Sequence, residues 1–201
     1  MAGGCLLVAC APRSFAQSER AARSDLYACE GCDAVFERDP ATLSSTLGVA
    51  GPDEPGERLV LTGTVFQPNG TSPAGDVILY VHQTNNEGYY DGGVPEARNS
   101  SRHGKLRGWL KTGPDGRYRI ETIKPAPYPS RTMPAHIHFY VGEPSRRSYY
   151  IDDVVFAGEF KVDADYIAHQ ELRGGSGIVT LERRNGVLYA VRDIVLERHP
   201  D

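Results

Sequence analysis

Pro134-Ala135-His136-Ile137-His138-Phe139-Tyr140-Val141 is an apolar and aromatic run interrupted by two histidines. Its composition favours a strand, in which successive side chains point to opposite faces. His136 and His138 therefore project the same way, close enough together to grip one metal ion. A strand whose two histidines are half-buried and bonded to backbone is the plainer reading of the same run. Tyrosines stand upstream in loop-like settings: Tyr89 and Tyr90 follow Gly88, and Tyr128 lies between Pro127 and Pro129. Two neutral imidazoles with two phenolates would make a hard, dianionic pocket suited to Fe(III) rather than to Zn(II) or Cu(I).

The flanking sequence is also strand-like. Leu59 to Phe66 and Val77 to His82 read as strands separated by a turn at Asn69-Gly70. Arg107 to Lys111 and Arg117 to Thr122 bracket Pro114-Asp115-Gly116, which signals a hairpin. Asp163 to Glu171 predicts one short helix. Ile178 to Glu182 and Val187 to Val195 predict a terminal hairpin closed at Asn185-Gly186. The 22 glycines and 14 prolines, set between short apolar runs, indicate an all-β chain with many turns. At 201 residues, 40% of them hydrophobic, the chain can bury one well-formed core. The expected architecture is a β-sandwich over residues 58–201, with a long irregular loop layer carrying the metal site. Trp109 is expected in the core, and His82 in a structural or supporting role. The polar stretch Gly92 to Gly104 reads as a loop over the site, near the charges of Arg98, Arg102 and Lys105. His103 within it reads as a solvated loop histidine rather than a substrate contact.

From about Arg58 to Glu159 the chain resembles the intradiol ring-cleavage dioxygenases of the catechol and protocatechuate type. The resemblance rests on the order and spacing of several short runs. They include Leu61-Thr62-Gly63-Thr64-Val65, Gly75 to Tyr80, Arg107-Gly108-Trp109, Asp115 to Tyr118, and Lys124 to Pro129 leading into Pro134-Ala135-His136-Ile137-His138-Phe139. It implies a β-sandwich enzyme with non-haem Fe(III), which splits a catechol-type diol between its hydroxylated carbons using O2. The implied metal ligands are Tyr90, Tyr128, His136 and His138. Tyr90 is five residues after Asn85 of Gln83-Thr84-Asn85, and the loop count favours it over its rival Tyr89. In the family one tyrosinate leaves the metal and takes a diol proton, a role implied for Tyr90 or Tyr89.

Two departures from the family pattern stand out. Classical members carry Arg three residues before the first histidine, where this chain has Met133. Arg131 is the candidate to swing into that catalytic role, although Arg and Met are not equivalent. A glutamine of a later family run is replaced by Asp153. The net charge of −4, with no basic block, argues against nucleic acid. It would mildly repel an anionic aromatic acid unless local Arg and Lys compensate. Family members often form oligomers, so a homo-oligomer stays open.

Residues 1–16 read as an export signal. Gly3 to Ala11 is small and apolar, too short to span a membrane. Leu7-Val8-Ala9-Cys10 resembles a lipobox, with Cys10 as a lipid anchor; cleavage near Ser14-Phe15-Ala16 is the alternative. No Lys or Arg precedes Leu6, which leaves a cytoplasmic tail as the opposing reading. Residues 17–57 form an arm holding Cys29-Glu30-Gly31-Cys32 and a linker over Gly48 to Glu57. In an exported chain that cysteine pair is expected as a disulfide rather than a redox motif. Two other readings remain: a non-catalytic transthyretin-like or carboxypeptidase-regulatory-like binding module, and a His-bound zinc hydrolase. Only the iron reading needs both tyrosines.

Overall fold

The computed structural model describes residues 21–92 and 99–200. Its strands are β1 (Thr46–Gly48), β2 (Arg58–Phe66), β3 (Ile78–Gln83), β4 (Arg107–Lys111), β5 (Arg117–Ile123), β6 (His136–Gly142) and β7 (Tyr149–Phe156). After a short helix α1 (Ala164–Ala168) come β8 (Ile178–Val179), β9 (Glu182–Arg184), β10 (Val187–Val191) and β11 (Ile194–Val195). They form two sheets, one ordered β1-β5-β2-β10-β9 with β11 beside β2, the other ordered β4-β3-β6-β7-β8. The molecule is a β-sandwich, as expected. No helix among the described residues is long and apolar enough to cross a membrane. The export segment, its lipobox, Cys10 and Arg98 lie outside the described residues.

Alternation along the strands builds the core. Leu59, Leu61 and Val65 of β2 and Ile120 of β5 face Leu79 and Val81 of β3, and Ile137, Phe139 and Val141 of β6. Burial of this much apolar surface is the main drive for stacking the sheets. The other face of the second sheet carries Ile78, Tyr80 and Tyr140, and the N-terminal arm covers it through Ala34 and Val35. One face of that sheet is therefore buried in the core and the other is partly covered by the arm. His136 and His138 stand on the arm-covered face, since the intervening Ile137 points into the core.

Several expectations are corrected. The Pro114-Asp115-Gly116 turn closes locally, Gly116 N–H donating to the Gly113 carbonyl at 2.9 Å. It does not make a hairpin, because β4 belongs to one sheet and β5 to the other. Leu110 and Ile120 meet across the core from opposite sheets, and turn chemistry cannot specify which sheet the second strand joins. The terminal hairpin is shorter than expected, pairing only β9 with β10, with Val187 opposite Arg184. Ile178 and Val179 pair instead with β7, in parallel. The linker at 48–57 is not a spacer: β1 pairs with β5, Ala50 is buried, and Glu54 lies 2.8 Å from Lys105. Trp109 is only partly buried; it stacks on Tyr80 at 4.7 Å under the arm and donates its indole N–H to the Ala34 carbonyl. The helix lies within 163–171 and is capped by Asp163, which accepts from Tyr166 N–H.

Candidate metal centre

The site begins with a β-bulge. Ile137 pairs with Val154 and Phe139 with Ile151, so Asp152 and Asp153 of β7 together oppose His138. Such an extra residue re-aims the side chains around it. Here Asp152 turns away to accept from the Leu172 and Arg173 backbone N–H groups. Asp153 is delivered to His138, its Oδ1 lying 3.0 Å from Nδ1. Burial would raise the Asp153 carboxyl, but His138 and then His136 hold it below its ordinary value. The carboxylate therefore accepts, and His138 Nδ1 carries the proton. His136 Nδ1 likewise donates to the Pro134 carbonyl at 2.7 Å. Both Nε2 atoms are left as bare lone pairs.

Two loops supply the tyrosines, and Asn85 ties them together. Its Oδ1 accepts from Glu87 and Tyr89 N–H, its amide reaches Asp91, and its carbonyl accepts from Ala126 N–H beside Pro127. Gly88, with φ of 90°, lies flush on the Pro127 carbonyl, where a Cβ would come within 2.2 Å. The two loops are thus locked against each other, and they present Tyr90 and Tyr128 to the histidines. Tyr89 points outward and is 54% exposed, so Tyr90 is the tyrosine at the cluster.

The four donor atoms close a ring. Tyr90 Oη lies 3.0 Å from Tyr128 Oη, Tyr128 Oη 3.1 Å from His136 Nε2, His136 Nε2 3.1 Å from His138 Nε2, and His138 Nε2 3.0 Å from Tyr90 Oη. Only two protons, those of the phenols, serve these four contacts. However the two phenols point their protons, two of the four contacts are left with no proton between them. Burial, reinforced for Tyr90 by Tyr128, pushes the Tyr90 phenol well up, and burial raises Tyr128 too. Burial and His138 hold the His136 imidazole below its ordinary range. A cation among these donors would remove both lone-pair clashes and favour phenolate, so the donor set fits a metal ion. His136, His138 and Asp153 also form a three-residue cluster of metal-binding types. Asp153 lies on the Nδ1 side of His138, opposite the bare nitrogen, so it orients that ligand rather than completing a zinc triad.

Arg131 is not brought to the cluster: its guanidinium lies 4.0 Å over the Phe160 ring. Met133 is exposed. His103, expected in solvent, is buried. Its Nδ1 lies 2.6 Å from Tyr80 Oη, and its ring stacks on His82 at 3.9 Å. The cause is tertiary. Glu37 of the arm grips Asn99 and Ser100 N–H and the Ser100 hydroxyl, pulling that segment onto the sheet. His82, opposite His138 in register, packs 4.3 Å from that ring. Sequence reasoning gave no orienting role to Asp153 and no burial to His103. For Asp153 the one available signal was its place in the family pattern.

A family model described as Dioxygenase matches residues 34–187. Catechol 1,2-dioxygenase 1 of Acinetobacter lwoffii is 32% identical over 151 residues, covering 61% of this chain and 48% of that protein. Hydroxyquinol 1,2-dioxygenase of Nocardioides simplex is 28% identical over 128 residues, 56% of this chain and 41% of that one. The chain spans about half the length of these relatives. The solved catechol 1,2-dioxygenase of Acinetobacter sp. ADP1 shares the fold with a TM-score of 0.57 at 21% identity, over 77% of this chain and 57% of that one. An intradiol ring-cleavage dioxygenase of Tetranychus urticae gives 0.57 at 18% identity, over 83% and 92%.

Proposed function

The chain belongs to the intradiol ring-cleavage dioxygenases, and from that premise we propose that it uses Fe(III) and O2 to cleave a catechol-type diol between its hydroxylated carbons. The observation that carries the iron reading is the ring of two phenols and two bare imidazole nitrogens, which has protons for only two of its four contacts. Tyr90, Tyr128, His136 and His138 would hold the ion. Fe(III), when bound, supplies Lewis acidity that makes the diol's ring, rather than the oxygen, the activated partner.

The chain's own residues do the rest. Pro134 O and Asp153 hold the two imidazoles with Nε2 facing the site. Tyr128 sits on the proline-flanked loop, and its position is fixed through Ala126 and Asn85. Tyr90 Oη is the group we assign to take a diol proton, since Tyr89 faces outward. With Met133 where classical members carry Arg, and Arg131 stacked on Phe160, no guanidinium from this loop reaches the cluster. The binding-module reading is disfavoured by the family match. The bonded pair Cys29 and Cys32 supports an exported protein, with Cys10 as its proposed lipid anchor.

The test is iron content, visible absorption and O2 uptake with catechol, on the wild type and on Tyr128→Phe and His136→Ala. One iron per chain, a broad tyrosinate band altered by both substitutions, and turnover that they abolish are expected. A colourless protein that cannot be loaded with iron sinks the reading.

A further inference from the structure

Arg192 carries a guanidinium across the core to the bulge beside the metal centre. It follows β10, and its backbone is fixed to the first sheet. Its N–H donates to the Thr62 carbonyl at 2.9 Å, and its carbonyl accepts from the Tyr118 hydroxyl at 2.7 Å. Gly63 lies so close that a Cβ there would come within 1.8 Å of that carbonyl. From this anchor the side chain runs to the second sheet, and the residue is only 2% exposed. The guanidinium lies 5.2 Å over the Phe139 ring and donates through Nη1 to the Asp152 carbonyl.

That carbonyl belongs to the peptide joining Asp152 to Asp153, the two residues of the bulge. Other contacts grip the same turn of chain. Asp152 N–H donates to the Arg173 carbonyl at 3.0 Å, and Gly177 lies flush on the Asp153 carbonyl. Arg192 adds a hydrogen bond and a positive charge from the core side.

An arginine in that place is costly. Burial lowers the Arg192 guanidinium, and Tyr118, Asp152 and Asp153 offset only part of this. Its Nε and Nη2 have no partner among the described residues. An apolar side chain of similar size would fill the same space without that cost. What Arg192 contributes beyond packing is therefore its charge and its one bond to the bulge.

We propose that Arg192 is a positioning residue for the metal centre. It holds the Asp152–Asp153 peptide so that the Asp153 carboxylate meets His138 Nδ1 and Nε2 stays bare for the ion. The contacts run from Arg192 Nη1 to the Asp152 carbonyl, and from Asp153 Oδ1 to His138 Nδ1 at 3.0 Å. His136 has a separate anchor in the Pro134 carbonyl at 2.7 Å. The proposal rests on the iron reading above.

The experiment uses Arg192→Met, alone and combined with Asp153→Asn. In the iron-free protein, heteronuclear NMR reads which ring nitrogen of each histidine carries the proton. Wild type is expected to show Nδ1–H on both His136 and His138. In Arg192→Met, His138 should become a mixture of tautomers while His136 stays as it was; a general loosening of the core would disturb both. Chelator competition should show iron affinity about tenfold lower. In the Asp153→Asn background the same substitution should cost less than about threefold, because the two residues act through one contact. An unchanged His138 tautomer, or equal losses in the two backgrounds, overturns the proposal. If Arg192→Met does not fold, Arg192→Lys decides, since it keeps the charge but not the fork. It should show the same His138 change with affinity about threefold lower, and wild-type behaviour in both readouts overturns the proposal. If the wild type binds no iron, the iron reading has failed, and the tautomer comparison still decides the role of Arg192.

Discussion

Asp153 fixes which nitrogen of His138 is free to meet a cation, and it does so through one charge-assisted hydrogen bond. Asp153→Asn keeps the shape and an acceptor oxygen but removes the charge that makes the ring a better donor. Iron affinity, measured by competition with a chelator, is expected to fall about 10- to 100-fold. An unchanged affinity would mean that Asp153 does not tune the ligand. Arg131→Ala gives the opposite contrast. The guanidinium lies over Phe160, so the expected loss is about 0.5–1 kcal/mol of stability in a denaturant titration. Catechol turnover should stay within about twofold, and a tenfold fall would return Arg131 to the reaction. At this scale the sequence made His136 and His138 legible, because strand alternation acts within three residues. It could not show His103, whose cover comes from Glu37 on a distant part of the chain.

At the scale of elements, the site depends on two loops and one bulge meeting at fixed distances. Gly88 is the contact between the Tyr90 and Tyr128 loops, and a side chain there must push the Pro127 carbonyl away. Gly88→Ala is expected to cost about 1–3 kcal/mol from the left-handed backbone and the clash together. It should also weaken iron binding more than other destabilising changes of equal size, because it parts the two phenols. Thermal melts of the iron-free protein and chelator competition on the loaded protein separate these effects. Retained affinity at reduced stability would show that the loops are not coupled through Gly88. The strands themselves were readable because apolar alternation and turn residues are local. Their partners were not. The turn at Gly113 to Gly116 has hairpin chemistry, yet it hands the chain from one sheet to the other. That choice is made by where Leu110 and Ile120 find apolar cover. The bulge at Asp152 and Asp153 was hidden for the same reason, since register is a property of two strands.

In the whole molecule, the arm and the second sheet enclose a file of imidazoles, His103 on His82 on His138, where water would otherwise solvate their charged forms. Burial is the main reason that His103 is held at about 4, with Arg102 and His138 adding to it. Burial, followed by His138 and His103, pushes His82 further down, and burial and His138 lower His136. An unfolded histidine titrates near 6.5. Between that value and about 4 the unfolded chain therefore binds protons that the folded chain refuses. Stability must rise with pH across this window. The contribution is complete above about pH 6.5 and is lost progressively as pH falls towards 4. Asp153, held low, keeps its own contribution until below the ordinary carboxylate range, so it does not obscure the histidine window. The iron-free protein is therefore expected to lose stability steadily from pH 7.5 to 5.0 in urea titrations, with about two protons taken up per unfolding event near pH 5.5 from His82 and His103, and His136 adding to that uptake. His103→Gln should flatten that slope by about one proton, because a buried amide has nothing to titrate. A midpoint that does not move between pH 7.5 and 5.0 would show that the arm leaves these rings open to water. The burial that shapes the floor of the site would then have to be redrawn.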